Sequence, residues 1–219
     1  LGDVYKRQVV LVDGVKVNDP TNGDQFDLAN FAPELIESVE ILRGAASALY
    51  GSDAIGGVVL IRTRRGVGAP AGRARLSYGR YSTSSITASV YGEAAPLRFS
   101  LTASGFSSEN RYPHYTTARH ALCLTASTSF KKTSLSVVCA VTNRKSHYPF
   151  DLDFFTYKLV WDENITNRST VSLLGINITS ALHKRLSLVL KPSICFMDVH
   201  FQNLGDVVAA QVELDSQNV

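Results

Sequence analysis

Gly51 and Gly56 have four residues between them, the glycine spacing of a loop that cradles phosphate. That chemistry also needs a lysine and a hydroxyl directly after the second glycine, one for charge and one for the metal contact. Gly57 and Val58 stand there instead, so phosphate binding drops out. A nucleophilic serine elbow requires Gly-x-Ser-x-Gly. Ser52 directly follows Gly51 and has no glycine two residues later, which makes it a turn residue or a helix cap.

The remaining reactive side chains are equally scattered. His114, His120 and His147 lack the close pairing of a zinc site, and Asp19, Asp24 and Asp27 lack the alternation of a calcium loop. Cys123, Cys139 and Cys195 show no metal-ligand spacing. If Lys131-Lys132 turns a hairpin, Cys139 opposes Leu124 and Cys123 opposes Ala140. The two thiols then lie on opposite faces and do not bridge, leaving the cysteines as small apolar fillers. The expectation is neither an enzyme nor a cofactor protein.

The glycines therefore read as backbone punctuation. Val39 and Ile41, then Val58 to Ile61, are β-branched or aliphatic and suit strands, whereas Ala45 to Leu49 suits a helical turn. Gly44, Gly51, Gly56 and Gly57 supply the reversals between them. Upstream, Val9 to Asp13 is an apolar strand ending in the turn dipeptide Asp13-Gly14. Pro33 favours the first turn of a short helix through Glu34, Leu35 and Ile36, with the last two docking on the sheet.

Two of these stretches carry a resemblance. Leu42-Arg43-Gly44 followed by Ser47-Ala48-Leu49-Tyr50-Gly51-Ser52-Asp53-Ala54-Ile55-Gly56-Gly57-Val58 resembles the signature that closes the plug domain of TonB-dependent outer-membrane receptors. Val10-Leu11-Val12-Asp13-Gly14-Val15 is similar to the same family's strand before its ligand-facing loops. Ala45 departs from the proline that the family carries there, loosening the turn after Arg43.

Beyond Arg65 the texture changes. A Gly/Ala/Pro linker over 66–72 separates the mixed module from strands in which apolar and polar residues alternate. Leu97, Phe99, Leu101 and Ala103 share one face, with Arg98, Ser100 and Thr102 opposite. The same pattern recurs from Ala74-Leu76-Tyr78 to Val208-Ala210-Val212-Leu214. Arg98 and Lys191 both fall on the face away from lipid, as a membrane wall requires. Short links at Glu93 to Pro96, Lys131-Lys132 and Ala181 to Arg185 alternate with long loops at Ser107 to Ala118, Asn143 to Ser169 and Met197 to Asp206. That is the barrel pattern of short periplasmic turns and longer extracellular loops. The short link Tyr81 to Thr83 is the exception, and Phe154 to Trp161 is assigned to the loop.

The fold expected is β-rich: residues 9–65 the C-terminal part of a mixed α+β plug, then, over 73–219, about eight antiparallel strands of an incomplete transmembrane β-barrel. Leu1 to Gln8 resembles a non-native end and stays outside this reading. The 45% hydrophobic content excludes disorder, and the mild charge of +3 with dispersed basic residues argues against a nucleic-acid partner. No apolar run approaches the length of a membrane-spanning helix, so a membrane would be crossed as a barrel.

The resemblance implies a receptor in the outer membrane of a Gram-negative bacterium that takes up a scarce, bulky ligand, a ferric siderophore or cobalamin. The plug gates the lumen, and a TonB protein acts through a segment the chain does not include. The polar loop Asn18, Asp19, Thr21, Asn22, Asp24 and Gln25 supplies ligand contacts. Asp13, Gly14, Arg43, Gly44, Tyr50, Gly51, Gly56 and Gly57 are structural, with Arg43 expected to pair with acidic groups on the barrel wall. Tyr112, Tyr115, Tyr148, Phe150, Tyr157 and Trp161 are expected mainly at the membrane interface. The rival reading is a secreted or soluble β-sandwich that binds its ligand around a dry core.

Overall fold

Alternating side chains give a strand two different faces, so a strand set with apolar residues outside and small polar residues inside must curl around something. In the computed structural model, which describes residues 8–19, 24, 26–153, 158–183, 186–203 and 213–215, that something is the N-terminal module. Its four strands are β1 (Gln8–Val12), β2 (Val15–Lys16), β3 (Ile36–Arg43) and β4 (Gly57–Thr63), in the order β2-β1-β4-β3. β1 runs parallel to β4, and β3 runs antiparallel to it. The connection between β2 and β3 includes two 3-10 turns, Leu28–Asn30 and Pro33–Leu35, and α1 (Ser47–Tyr50) joins β3 to β4.

Pro33 opens its turn as expected, although the helix stops at Leu35 and Ile36 already belongs to β3. Gly51 ends α1 at φ 92°, donating its N–H to the Ser47 carbonyl at 3.0 Å. Gly57 is needed for a second reason. At φ 135° a Cβ would meet the Leu42 carbonyl oxygen at 2.6 Å, so only glycine lets β3 and β4 close here.

The second sheet is an antiparallel meander: β5 (Ala71–Gly79), β6 (Thr83–Ala94), β7 (Leu97–Ser108), β8 (Thr117–Phe130), β9 (Thr133–Asp153) and β10 (Lys158–His183). β11 (Leu186–Leu190) and β12 (Ser193–Asn203) both pair with β10, forming one wall position interrupted at Lys191-Pro192, and β13 (Glu213–Asp215) pairs with β12. Counted by position, eight strands line up, as expected from the alternation. Of the last predicted strand, Val208, Ala210 and Val212 lie outside the described residues. β5 begins at Ala71, so the last two linker residues already belong to the wall.

Register settles the faces. Val90, Leu101, Leu124, Cys139, Leu174 and Ile194 form one row across the sheet, all pointing outward. Ser89, Thr102, Cys123, Ala140, Leu173 and Cys195 form the adjacent inward row. The outward leucines and isoleucines are exposed, while Thr102, Cys123, Ala140 and Leu173 are buried beneath the plug. No second sheet covers the apolar outer face of the described strands, which is the opposite of a sandwich with its dry core inside.

Cys139 faces Leu124 and Cys123 faces Ala140, so the two thiols lie on opposite faces as expected and all three cysteines are free. The links at Ala95-Pro96, at Lys131-Lys132 and between β10 and β11 are short, and Arg80 to Ser82 is a tight hairpin. Two loop assignments fail. Most of Asn143 to Ser169 is strand, because β9 and β10 stay paired to Asp153 and Lys158, with a register shift between Trp161 and Ile165; Lys158 to Trp161 is strand too, and 154–157 lies outside the described residues. β12 likewise runs to Asn203, through much of the loop assigned from Met197. Above an apolar belt both faces of a strand are wet, so the strand continues without the hydrophobic alternation that would betray it.

Candidate functional site: the plug and its seam with the wall

The plug's signature residues build its hinge points. Asp13, at φ 48° in the turn after β1, accepts hydrogen bonds from the Thr63 hydroxyl and, at 3.3 Å, the Thr63 N–H. Arg65 adds an ion pair at 3.5 Å. Asp13 thus ties the β1-β2 turn to the end of β4, and Gly14 takes the next left-handed position at φ 89°. Tyr50 packs with Val9, Ala54 and Val58 in a small cluster behind α1. Gly44 turns at φ 94°, and Gly56 leads into β4. Arg43 is exposed and forms no ion pair among the described residues, so the pairing expected for it with the barrel wall is not seen there.

The loop proposed for ligand contact divides. Asn18 is buried and fully engaged: its Oδ1 accepts from the Val10 N–H, and its Nδ2 donates to the carbonyls of Gln8 and Asp24, each at 2.7 Å. It braces the loop from inside. Asp24 accepts from Lys16 at 3.2 Å, and Asp53 accepts from the same ammonium at 2.7 Å. Burial pulls the Lys16 pKa down, but its hydrogen bonds to Asp53 and Asp24 prevail and raise it. The Lys16 hydrogen bond holds the Asp53 carboxyl below its ordinary value. Asp19 also has a partner. Thr21, Asn22 and Gln25 lie outside the described residues.

The plug meets the wall over two kinds of surface. Val10, Val12, Val15, Val17, Phe31 and Leu35 pack with Ala121, Cys123, Val138, Ala140 and Leu173 in one continuous apolar core. Ser100 and Thr102 are buried, with Ser89 bonded to Thr102 at 3.0 Å, but they flank that core and do not dominate it.

Around it runs a polar latch. Arg119 donates to both Glu34 oxygens at 3.4 and 3.2 Å. Arg144 donates to Asp27 at 2.9 Å, to Asn30 at 3.3 Å and to the Tyr148 hydroxyl at 2.9 Å. Ser169 donates to Asn30 at 2.8 Å, and Thr125 donates to the Arg64 carbonyl at 3.1 Å. The latch thus gathers on the two 3-10 turns and the end of β4. Tyr148 joins it from the inner face of β9 instead of sitting in an interfacial girdle, its ring tilted 31° to that of Tyr115 with centroids 5.6 Å apart. Trp161 is half exposed, with its ring edge-on to His114. For Phe150 and Tyr157 the side chains lie outside the described set.

A plug sheet tethered inside a curved antiparallel wall has clear counterparts. A TonB-dependent receptor plug domain model matches residues 2–58, beginning inside the stretch set aside at the N-terminus and ending at Val58 in the glycine signature. That part of the chain is similar to TonB-dependent receptor plug domains. The vitamin B12 transporter BtuB of Vibrio vulnificus (strain YJ016) is 43% identical over 90 residues, covering 39% of this chain and 14% of that protein. Among solved structures, the siderophore receptor PiuA from Acinetobacter baumannii superposes with a TM-score of 0.69 at 12% identity, over 91% of this chain and 30% of its own. The ferripyoverdine receptor of the outer membrane of Pseudomonas aeruginosa gives 0.71 at 12% identity, over 88% and 28%. At such identities these two show the fold alone. The chain spans about a third or less of each of these relatives.

The latch was not legible as a site. Asp27, Glu34, Arg119 and Arg144 are single charges with no local pattern, and only the curvature of the wall brings them together.

Proposed function

We propose that this chain belongs to an outer-membrane transporter of a Gram-negative bacterium that imports a ferric siderophore or cobalamin, with the plug gating the lumen and TonB supplying the work. The observation that supports it most is the seam: a plug sheet seated on the inner face of an outwardly apolar wall, by an apolar core plus the latch from Arg119 and Arg144. The 43% identity to a vitamin B12 transporter over 90 residues favours cobalamin of the two ligand classes.

The seam suits gating because its parts differ in strength. Charge-assisted hydrogen bonds contribute about 1.5–3 kcal/mol each, so opening the latch is within reach of a directed pull while the apolar core holds the resting state. In the intact receptor the β2-β3 loop rises toward the ligand, and Asp19, Thr21, Asn22, Asp24 and Gln25 offer it donors and acceptors, with Asn18 bracing the loop's base. The test is uptake of labelled cobalamin and of ferric siderophores by cells whose only such receptor is the intact homologue. Concentration of either ligand that disappears when the TonB-contacting segment is deleted is the expected result. Undiminished uptake without that segment would overturn the mechanism.

A further inference from the structure

Glu34 stands between two sets of wall arginines. Its carboxylate is held by Arg119 of β8 at 3.2 and 3.4 Å, longer than the usual charge-assisted bond. Arg119 has a second hold, with its guanidinium 5.3 Å from the centre of the Phe106 ring. It therefore keeps a partner if Glu34 leaves. Glu34 also lines a groove of about 390 Å³ between the plug and the inner face of β5 and β6. Of the described residues lining that groove, Glu34 is the one carboxylate, while Arg64, Arg73 and Arg75 are the cations.

Arg64 belongs to the plug edge and donates from Nε to the Glu34 carbonyl at 2.9 Å, so the two move as a unit. Arg73 and Arg75 belong to the wall. They face inward on β5 opposite Ser89 and Thr87, and among the described residues neither has an ion-pair partner.

Register orders the arginines by height. Ser77, Ser85, Phe106 and Arg119 form one row across β5 to β8. Arg75 lies one inward position from that row and Arg73 two, both toward the end of the wall that carries the Lys131-Lys132 turn. Each inward position is a step of about 7 Å. Arg119, Arg75 and Arg73 thus descend the inner wall in sequence, and Ser85, Thr87 and Ser89 beside the lower two are too small to block a passing side chain.

Resting on the transporter reading above, we propose that Arg75, and after it Arg73, is a second docking position for Glu34: as the plug is drawn toward the short-turn end of the wall, the carboxylate leaves Arg119 and pairs again on β5. A charge released with no new partner loses its whole charge-assisted bond at once, whereas an exchange of arginines divides the loss into smaller steps. The plug then has a defined displaced position, and its edge moves between two discrete arrangements.

The test is accumulation of labelled cobalamin and of a ferric siderophore by cells carrying the intact receptor, measured beside ligand binding at the cell surface. Arg75→Gln is expected to slow accumulation about tenfold at unchanged surface binding, the factor for one charge-assisted hydrogen bond lost from the displaced state. Arg75→Lys keeps most of the rate, and Arg119→Gln, which removes only the resting hold, does not slow it. A thiol pair reads the position directly, whether or not the glutamine variant folds. Glu34→Cys with Arg75→Cys, in a receptor whose native cysteines are replaced by serine, should be joined by a cross-linker as long as a glutamate-arginine pair only in cells that carry TonB and are supplied with ligand. Accumulation by Arg75→Gln at the parent rate, a parallel loss of surface binding and accumulation, or equal cross-linking without TonB would overturn the proposal. A parent receptor that takes up neither ligand counts against the transporter reading itself.

Discussion

Arg144 on the inner face of β9 reaches Asp27 in the first 3-10 turn of the plug, with Nη1 2.9 Å from Oδ2 across 117 residues of sequence. The arginine side chain is only 12% exposed, while the carboxylate is more than half exposed. A cation held from one side by protein and from the other by a half-wet carboxylate is a contact built to be broken, since water is ready to replace one partner. Arg119 and Glu34 repeat the arrangement on β8 with the carboxylate more enclosed.

Removing this contact should loosen the plug before the wall. Arg144→Met is expected to weaken the seam by about 2 kcal/mol, as for loss of charged hydrogen bonds. Hydrogen exchange should rise over residues 26–35 and stay unchanged in β6 and β7. Equal exchange in both regions would mean that the latch carries no weight.

The hinge glycines should rank by their surroundings. Gly14 has open space where a Cβ would go, so Gly14→Ala meets only the left-handed backbone penalty, about 1 kcal/mol. Gly57→Ala adds a Cβ at 2.6 Å from the Leu42 carbonyl and should cost clearly more. Thermal unfolding of the two variants side by side checks the order.

The Lys16-Asp53 bridge should be silent through neutral pH. Asp53 is depressed by its Lys16 hydrogen bond, so its contribution is present above the ordinary aspartate value of 3.8 and is lost as pH falls through the lower folded value. Lys16 is raised, so its contribution is present below the ordinary 10.5 and fades as pH rises through a still higher value. Both groups are substantially exposed, so the effect is modest. Exchange protection around α1 should fall only at the acidic and alkaline ends, and Asp53→Asn should abolish the acidic loss of protection.

The cysteines should report the faces of the wall. Cys139 points outward between Leu124 and Leu174, whereas Cys123 is buried beneath the plug. A lipid-soluble thiol reagent should label Cys139 in the folded protein and reach Cys123 only once the plug is displaced. Oxidation should not join them.

Much of this architecture was readable because the strands of the wall carry apolar residues on one face and small or polar ones on the other. The Lys131-Lys132 turn fixes every β8-β9 pair, and Leu124 opposite Cys139 follows by counting alone. The alternation gave no such guide from Asn143 to Asp153, where Lys145 outside and Arg144 inside are both polar and no face announces itself. Asn18 misled in another way. A polar residue in a turn-rich stretch resembles a ligand donor, yet its amide is consumed by the backbone of Gln8, Val10 and Asp24. The latch needed the third dimension, since residues 85 and 117 positions apart leave no mark on each other's neighbourhood.

The claim that the plug must move relative to the wall is tested most directly by stapling the two together. A Cβ at Gly175 would lie 2.7 Å from a Val15 methyl, so Val15→Cys with Gly175→Cys brings two thiols within disulfide reach across the seam. In the intact receptor with its native cysteines replaced by serine, oxidised cells should still bind ligand at the surface but stop accumulating it, and a reductant should restore uptake. Undiminished accumulation with the cross-link fully formed would contradict the account.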